Sequence, residues 1–283
     1  MNNQITIILL SHRSKNLVLN FIKDIHIKYK LIIIDNSNDI ELKKIIKKNY
    51  PEIIINIIKN NGYGSAINYA SKLVKTKYFL ISNPDISGLN ENKINKFLGA
   101  AKTLNDNFSA LGPRFINADK KSHKQSNINL KIAEMKFISG SCMFFKKKTF
   151  DSLGGFDENF FLYFEESDFC LRASKENKNY QINDIKLSHN VGTSVTTQNE
   201  NEKNELKKLY TWHFIWSKFY YYKKNYSYIG ALLYFMPTII RIIFKIELNR
   251  ILGNSIKKDH YEIRLNGLYR SIRGLSSNKR IVK

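Results

Sequence analysis

The chain has 283 residues, of which 43% are hydrophobic and 13% aromatic. That much apolar material builds a folded core, which excludes a disordered tail, a collagen-like repeat and a small disulfide-stapled scaffold. The 46 Lys and Arg residues outnumber the 24 Asp and Glu residues and give a net charge of +22. Such a surface attracts phosphate-bearing partners, namely nucleic acid, anionic lipid or a phosphorylated small molecule.

The first hundred residues alternate short apolar runs with segments of helical pattern. The runs are rich in Ile and do not alternate with polar residues, which is typical of parallel strands buried on both faces. Strands that alternate with helices of this kind indicate a doubly wound α/β fold with a mainly parallel sheet. The predicted strands are 5–10, 31–35, 52–58 and 77–82, and the predicted helices are 14–27, 39–49, 64–75 and 90–104.

The alternation is lost in the second half of the chain. A strand is predicted at 137–145, a helix at 165–176 and a strand at 180–187, after which helix dominates. We therefore predict an α/β domain over residues 1–198 and a helical, basic C-terminal region over residues 199–283.

The cysteines and the first residues indicate a cytoplasmic protein. Cys142 and Cys170 each have apolar neighbours, which favours two buried thiols in a reducing compartment. The opening sequence MNNQITIILLSHR has no basic segment, and its apolar run is too short for a signal peptide.

The segment 225–240 carries no charge, but it is shorter than the roughly 20 apolar residues of a spanning helix and contains Pro237. The residues around it are aromatic or basic: Trp212, Trp216, the tyrosines at 220–222, Arg241 and Lys245. This pattern predicts an interfacial segment on an anionic membrane leaflet. The alternative is a helix over 228–252 that docks on the main domain.

Ligands of open α/β sheets bind beyond the carboxyl ends of the strands. The polar residues predicted there are Ser11, His12, Asp35, the segment 60–64 and Asp85. Asp35 suits a ribose hydroxyl or a base edge, or alternatively forms the turn in DNSND. In NGYGSAIN (61–68) two glycines open a helix and allow a phosphate to approach the backbone. This segment lacks the GxGxxG pattern, so a dinucleotide-binding oxidoreductase is not favoured.

Asp85 and His189 are the candidate metal ligands. Asp85 follows the stiff turn at Pro84, and a carboxylate there can hold a divalent cation against a diphosphate. His189 follows the predicted strand 180–187, and a neutral imidazole can complete the shell of the cation. The alternatives are an ordinary turn aspartate and a structural histidine.

The segment 154–172, GGFDENFFLYFEESDFCLR, has the highest density of carboxylates. Glycines and aromatic residues can shape a cleft that partly desolvates a carboxylate and raises its pKa, as a general base requires. Helical spacing puts Glu165 and Asp168 on one face, and it also allows Asp168 to pair with Arg172. In that alternative the carboxylates only form ion pairs and cap the helix.

Together these motifs resemble the inverting family 2 glycosyltransferases of the GT-A fold, over roughly residues 4–220. The motifs are IIIDNS (32–37), NGYGSAIN (61–68), NPD (83–85), GSCMFFKK followed by GGFDENFFLYFEESDFCLR, and SHNVGTS (188–194). SHR near the start, NPDI and YTWHFIWSKFYYYKK (210–224) are most similar to bacterial rhamnosyltransferases of lipopolysaccharide O-antigen synthesis.

The resemblance implies a role for each matching residue. Asp85 and His189 would hold Mg²⁺ or Mn²⁺ at the donor diphosphate. Glu166 would deprotonate the acceptor hydroxyl, with Asp168 and Glu165 in the same catalytic cleft. The implied donor contacts are Ser11, Asp35, Asn60, Gly62, Tyr63, Asn68, Asn83 and Asp85. Three positions depart from the family pattern: NPD has one carboxylate instead of two, Glu166 replaces Asp, and Ser11-His12 replaces Tyr-Asn.

The implied activity is inverting transfer of L-rhamnose from dTDP-L-rhamnose to a polyprenyl-diphosphate-linked saccharide. The basic tail would hold the protein at the cytoplasmic face of the inner membrane. The alternatives are the same reaction with a UDP-hexose, UDP-galactofuranose or UDP-N-acetylhexosamine, and a catalytically silent assembly protein of this fold. Nucleic acid is not expected as a partner, because the carboxylates between residues 157 and 168 repel a phosphate backbone.

Overall fold

The computed structural model describes residues 2–23, 25, 27–117 and 125–280. The strands within these residues are β1 (Asn2–Ser11), β2 (Tyr29–Asp35), β3 (Ile54–Ile57), β4 (Tyr78–Ser82), β5 (Ile86–Ser87), β6 (Ala110–Phe115), β7 (Ile132–Met135), β8 (Cys142–Lys146) and β9 (Asn179–His189). They form a mixed sheet in the order β3-β2-β1-β4-β8-β6-β9-β5, and β7 pairs with β9.

Helices follow most of the strands and make up the last part of the chain. They are α1 (Lys15–Ile22), α2 (Ile40–Asn49), α3 (Tyr63–Leu73), α4 (Glu91–Thr103), α5 (Lys147–Ser152), α6 (Glu165–Ala173), α7 (Glu200–Asn225), α8 (Tyr228–Ile251) and α9 (Ser255–Ile272). The predicted α/β fold with C-terminal helices is thus confirmed.

The chain divides into two compact units, of which the first comprises residues 1–157 and 169–196 and contains the sheet. The second comprises residues 158–168 and 197–283. The segment 158–168 groups with the C-terminal helices, whereas the sequence-based division at residue 198 assigns it to the α/β domain.

The part of the sheet built from β1 to β4 is parallel. Most Ile and Leu side chains of β1, β2 and β4 are buried on both faces of the sheet, as the continuous apolar runs predict, whereas Ile54 of β3 is exposed. The register places Ser11 beside Asp35, and Asp35 beside Ile57. The carboxyl ends of β1, β2 and β3 therefore lie side by side at one edge.

The rest of the sheet is mostly antiparallel. β8 pairs in this sense with β4 and β6, and β9 with β5 and β7. The β5–β9 pair sets Ile86 opposite His189 and so brings the NPD turn to the end of β9. Sequence analysis missed β5, β6, β7 and α5. β6 contains Gly112 and Pro113, which weaken a strand prediction, and the other three elements are short.

Several predicted elements are shorter in the structure, among them α1, β3, β8 and α6. α1 ends at Ile22 instead of near residue 27. β8 begins at Cys142 because a tight turn precedes it, in which the Cys142 N–H donates to Ser139 O over 3.3 Å. Cys142 and Cys170 are both buried free thiols, as predicted, and burial raises the pKa of the Cys142 thiol.

In the second unit α7, α8 and α9 pack around a core that includes Phe219, Phe235 and Leu268. Trp212 and Trp216 are only 1% and 4% exposed. Each indole N–H has a hydrogen-bond partner, since Trp212 donates to Asn266 Oδ1 and Trp216 to Leu275 O. Trp212 and Trp216 thus belong to a buried helical core, and the membrane-facing segment that follows them stays a prediction.

We expect Gly155→Ala to destabilise the protein more than Gly154→Ala. Both glycines have a left-handed φ, +68° and +74°, so both alanines meet similar backbone strain. A Cβ at Gly155 would also lie 2.5 Å from Asn68 Oδ1, whereas a Cβ at Gly154 has nothing within 4 Å. By urea denaturation, the free energy of unfolding should fall by about 1 kcal/mol for G154A and about 3 kcal/mol for G155A. Equal losses would contradict this packing argument.

Candidate functional site

Asp35, at the carboxyl end of β2, is fully buried. One carboxylate oxygen accepts the N–H groups of Ser37 (3.0 Å) and Asp39 (2.9 Å), and the other accepts the Ser37 hydroxyl (2.9 Å). These bonds satisfy the buried charge and fix the DNSND turn that leads into α2. The structure thus shows Asp35 as a turn-forming residue, and its contact with a donor nucleotide stays a prediction.

A chain of hydrogen bonds connects the ends of β1 and β2 with the start of α3. Asn60 Oδ1 accepts the Gly62 N–H (3.2 Å) and the Asn36 side-chain amide (3.3 Å), and Asn36 Oδ1 lies 2.8 Å from His12 Nδ1. Because the backbone N–H of Gly62 can only donate, it orients both amides and leaves the proton on His12 Nδ1. Burial lowers the pKa of His12 and favours its neutral form. Asn36 is the member of this chain that sequence analysis missed.

The start of α3 suits an anion. Gly62 is the N-cap residue, with a φ of +105° that favours glycine, and it has no side chain to cap the helix. The N–H groups of a first helical turn lack intrahelical acceptors and attract phosphate. Tyr63 donates its hydroxyl to Gly140 O over 2.6 Å, and the buried Ser11 hydroxyl lies 3.2 Å from that of Ser14. Donor contacts at these residues stay predictions.

Asn68 lies in α3, and its side chain binds the backbone of Phe156 through two hydrogen bonds. Its amide nitrogen donates to Phe156 O (2.9 Å), and its Oδ1 accepts the Phe156 N–H (2.9 Å). The two bonds hold the GGF segment against α3, and the absence of a side chain at Gly155 makes room for them. The structure gives Asn68 a structural role, and the donor contact implied by the resemblance stays a prediction.

Asp85 has a carboxylate that is buried and only partly satisfied. Its side chain has no exposed surface. Oδ2 accepts the Ser194 hydroxyl over 2.5 Å, whereas Oδ1 has no hydrogen-bond partner among the described residues and lies 3.4 Å from His189 Nε2. The turn itself is fixed, because the Asn83 N–H donates to Ser141 O over 2.8 Å. Sequence analysis missed Ser194, although it lies in the SHNVGTS motif.

His189 is held in place through its backbone. Its N–H donates to Asn117 Oδ1 (2.9 Å) and its carbonyl accepts the Asn117 amide (3.0 Å). The structure therefore brings together the two predicted metal ligands, Asp85 and His189, which are 104 residues apart in sequence.

The donor set fits a divalent cation that is also bound by its substrate. A buried carboxylate oxygen without a hydrogen bond, close to an imidazole nitrogen, is the kind of ligand pair that Mg²⁺ or Mn²⁺ accepts. The described residues contain no group of three or more His, Cys, Asp or Glu side chains that could hold a metal. The protein thus offers Asp85 and His189, and phosphate oxygens and water would have to complete the coordination.

Residues 158–168, here called the acidic loop, belong to the second unit. Tyr163 and Phe164 both have a left-handed φ, 70° and 72°, immediately before α6. Such non-glycine residues cost about 1–3 kcal/mol each and are concentrated at functional sites. Glu165 follows them and is 4% exposed, whereas Glu166 is partly exposed.

The two adjacent glutamates have different electrostatic environments. Burial raises the pKa of both, and the charge of Glu166 raises that of Glu165 further. N–H groups at the start of α6 and the Ser167 hydroxyl, 3.2 Å from Glu166 Oε1, oppose the rise at Glu166. Glu165 Oε2 has no hydrogen-bond partner among the described residues. The influences that lower the pKa are thus more numerous at Glu166 than at Glu165.

Asp168 is fully buried. Its carboxylate accepts hydrogen bonds from Lys224 Nζ (2.9 Å) and the Asn225 amide (3.1 Å) of α7. This ion pair compensates the buried charge. The Arg172 guanidinium donates to Leu153 O and Gly155 O, both over 2.6 Å. Asp168 therefore anchors the acidic loop to α7, and a further contribution to catalysis stays a prediction.

The sequence profile described as Glycosyl transferase family 2 matches residues 6–169, more than half of the chain. The chain belongs to glycosyl transferase family 2. The match includes Asp35, Asp85 and the Glu165–Glu166 pair, and it ends before His189.

A characterised relative and several solved structures resemble this family 2 chain. The low-salt glycan biosynthesis hexosyltransferase Agl10 of Haloferax volcanii is 25% identical over 220 residues, which are 69% of this chain and 70% of the relative. The mannosyltransferase PcManGT from Pyrobaculum calidifontis, in complex with GDP-Man and Mn²⁺, has a TM-score of 0.57 and 12% identity, covering 96% of this chain and 88% of that chain. S. aureus TarS 1–349 in complex with UDP-GlcNAc has a TM-score of 0.52 and 14% identity, covering 99% and 94%. The predicted GT-A fold is confirmed.

Asp85→Asn should weaken Mn²⁺ binding in the presence of a nucleoside diphosphate by about 100-fold, and His189→Gln by about 10-fold. Asn keeps the size of Asp85 but removes the charge that attracts the cation. Electron paramagnetic resonance of free Mn²⁺ measures the affinity. Asp184→Asn is the matched control, because Asp184 is an exposed residue of the same strand as His189. Unchanged Mn²⁺ binding by folded D85N would remove Asp85 from the metal site.

Proposed function

We propose that this family 2 glycosyltransferase moves a sugar from a nucleoside diphosphate sugar to an acceptor hydroxyl, with inversion at the anomeric carbon and with a divalent cation. The observation that carries the proposal is the buried Asp85 Oδ1, which has no hydrogen-bond partner among the described residues and lies 3.4 Å from His189 Nε2. The mannosyltransferase structure with GDP-Man and Mn²⁺ supports it, since that protein shares the fold.

Each of the named residues supplies one part of the reaction. Glu166 accepts the proton of the acceptor hydroxyl, whose oxygen attacks the anomeric carbon as the bond to the diphosphate breaks. Glu165 stays protonated and adds no second negative charge beside the base. Asp85 and His189 hold Mg²⁺ or Mn²⁺, which when bound stabilises the negative charge on the leaving diphosphate. A single displacement of this kind inverts the anomeric configuration.

For the donor we propose dTDP-L-rhamnose and for the acceptor a polyprenyl-diphosphate-linked saccharide, in cell-surface polysaccharide synthesis such as that of O-antigen. The sequence motifs similar to rhamnosyltransferases support this choice. A hexose donor is the second candidate, because the relative Agl10 is described as a hexosyltransferase of glycan biosynthesis. UDP-galactofuranose and UDP-N-acetylhexosamine belong to the same donor panel, and the TarS complex with UDP-GlcNAc supports including the latter.

Glu166→Gln should lower kcat by about 1,000-fold, whereas Glu165→Gln should change it by less than about 3-fold. Gln has the shape of a protonated Glu but cannot act as a base. It should therefore replace Glu165 with little change in kcat, whereas at position 166 it removes the general base. The measurement is single-turnover transfer from the radiolabelled donor. In the wild type, kcat should rise with pH as Glu166 ionises. The rise should occur at a pH above the ordinary pKa of a glutamate, because burial raises the pKa of Glu166.

Near-normal transfer by E166Q would exclude Glu166 as the base. Donor binding without turnover in the wild type, over all acceptors tried, would favour the catalytically silent assembly protein.

We also propose that α8 holds the protein on the cytoplasmic face of an anionic inner membrane. Within the described residues α8 is the helix that is long and apolar enough for a membrane, and its most apolar window is only 22% buried. Ala231, Phe235 and Ile242 face the helical core. The large apolar residues left exposed on α8 include Ile229, Leu233, Met236, Ile240 and Phe244.

The charges around this apolar surface match an anionic leaflet. Arg241 is exposed and Lys245 is half-buried, one turn apart on α8, and neither has an ion-pair partner among the described residues. Cations close to an apolar face add electrostatic attraction to acidic headgroups. Because Pro237, Arg241 and Lys245 interrupt the apolar surface, we propose that the helix lies at the interface instead of crossing the bilayer.

The double variant Leu233→Asp/Phe244→Asp should lose about 10-fold or more of its binding to vesicles that contain phosphatidylglycerol. Both side chains are exposed, 66% and 60%, so their replacement should spare the fold. Ile40→Asp, at a 55% exposed position of α2, is the matched control. Vesicle sedimentation measures the bound fraction, and undiminished binding of the double variant would contradict the proposed surface.

A further inference from the structure

The acidic loop holds a strained conformation that requires support from its surroundings. Tyr163 and Phe164 are both left-handed, and Glu165 directly after them buries a carboxyl oxygen without a hydrogen bond. A conformation of this kind persists only where neighbouring contacts determine it. The contacts described here all lie within the second unit.

One face of α7 supplies the first set of contacts. Ser217 Oγ donates to Leu162 O over 2.8 Å, and Lys224 pairs with Asp168. On the same face, aromatic rings of the loop pack on aromatic rings of α7. The pairs are Phe160–Tyr220 (4.8 Å), Tyr163–Phe214 (5.6 Å), Phe164–Phe214 (5.5 Å) and Phe164–Tyr221 (5.5 Å). Because these α7 positions recur every three or four residues, they form one stripe along the helix.

The second set of contacts meets at Phe161, which is 7% exposed. Its ring lies 4.6 Å from the ring of His213 on α7. The guanidinium carbon of Arg280 lies 3.4 Å from the centroid of the same ring. Stacking of a planar guanidinium on an aromatic ring at this distance is a favourable cation–π contact.

Residues 275–280, here called the C-terminal strap, are fastened to α7 at three points. Leu275 O accepts the Trp216 indole N–H (3.0 Å), the Ser277 hydroxyl lies 2.9 Å from His213 Nδ1, and Lys279 O accepts from His213 Nε2 (2.9 Å). Arg280 is also held, since its guanidinium donates to Ser277 O (3.1 Å) and Lys279 O (2.8 Å). The strap thus presents Arg280 to Phe161 in a fixed orientation.

We propose that the C-terminal strap is a positioning element for the acidic loop, with Arg280 acting on the Glu165–Glu166 pair through Phe161. The inference rests on the proposed role of Glu166 as the base. Arg280 of the strap stacks on the ring of Phe161, four residues before Glu165. Contacts with α7 fix the residues between Phe161 and Glu165. Loss of the stack frees the loop from one of its two supports and displaces Glu166, while the donor residues of the first unit stay unchanged.

The test compares Arg280→Ala with Arg273→Ala in the full chain. Arg273 is the matched control, because it is an exposed arginine near the end of α9 that contacts Tyr269 and not the loop. R280A should lower kcat by about 10-fold or more while KM for the nucleotide sugar stays within about 2-fold, because the base is misplaced but donor binding is not. R273A should match the wild type, and Arg280→Lys, which keeps the charge without the planar stack, should be intermediate.

A double-mutant cycle identifies the route through Phe161. If Arg280 acts through this ring, Phe161→Leu and R280A together should lower kcat no further than the larger single effect. Additive losses, an unchanged kcat in R280A, or a raised KM with normal kcat would each overturn the proposal.

Hydrogen exchange separates this inference from the proposed function. In R280A the amides of residues 158–168 should exchange about 10-fold or more faster than in the wild type, and those of α8 should not change. If loop exchange is faster in R280A but the wild type itself transfers no sugar, the proposed function is overturned and only a structural strap is left. Normal transfer and unchanged loop exchange in R280A would overturn the positioning role of the strap but leave the proposed function unaffected.

Discussion

A carboxylate removed from water is destabilising unless it is paired, hydrogen-bonded or protonated. Among the residues that the structure describes, four carboxylates are buried almost completely: Asp35, Asp85, Glu165 and Asp168. Asp35 is satisfied by the N–H and hydroxyl groups of its own turn, and Asp168 by Lys224 and Asn225. Both therefore hold elements of the fold together.

The other two carboxylates retain an oxygen without a hydrogen bond within the described residues. Burial together with the charge of Glu166 raises the pKa of Glu165. Asp85 instead directs its open oxygen towards His189, where a cation would satisfy it. The satisfied carboxylates Asp35 and Asp168 thus hold the fold together, whereas the open oxygen of Asp85 remains for a cation.

The sequence predicted the parallel half of the sheet because its strands are buried on both faces and read as unbroken Ile-rich runs. It did not predict β6, in which Pro113 lies at an irregularity of the pairing with β9. The rule that ligands bind beyond strand ends led to Asp35 and Asp85. It does not distinguish the two residues, because that difference depends on which groups the folded chain places around each carboxylate.

The role of the aromatic segment at 210–224 likewise depends on which groups the folded chain places around it. Its composition suggested a membrane-flanking belt, but spacing along α7 decides the outcome. Positions that recur every three or four residues face the acidic loop, and Trp212 and Trp216 enter the helical core. Composition alone does not report which face of a helix another part of the chain will cover. The partners of Trp212 and Trp216, Asn266 and Leu275, are more than fifty residues away in sequence.

The most direct test of the account is calorimetric titration of the purified full chain with UDP, dTDP, GDP, CDP and ADP, each with and without Mn²⁺. The account predicts binding of one nucleotide family that strengthens about 10-fold or more with the cation. That result would also identify the nucleobase of the donor and so narrow the choice between dTDP-rhamnose and the UDP sugars. Failure of every nucleoside diphosphate to bind, with or without the cation, would contradict the proposed donor site.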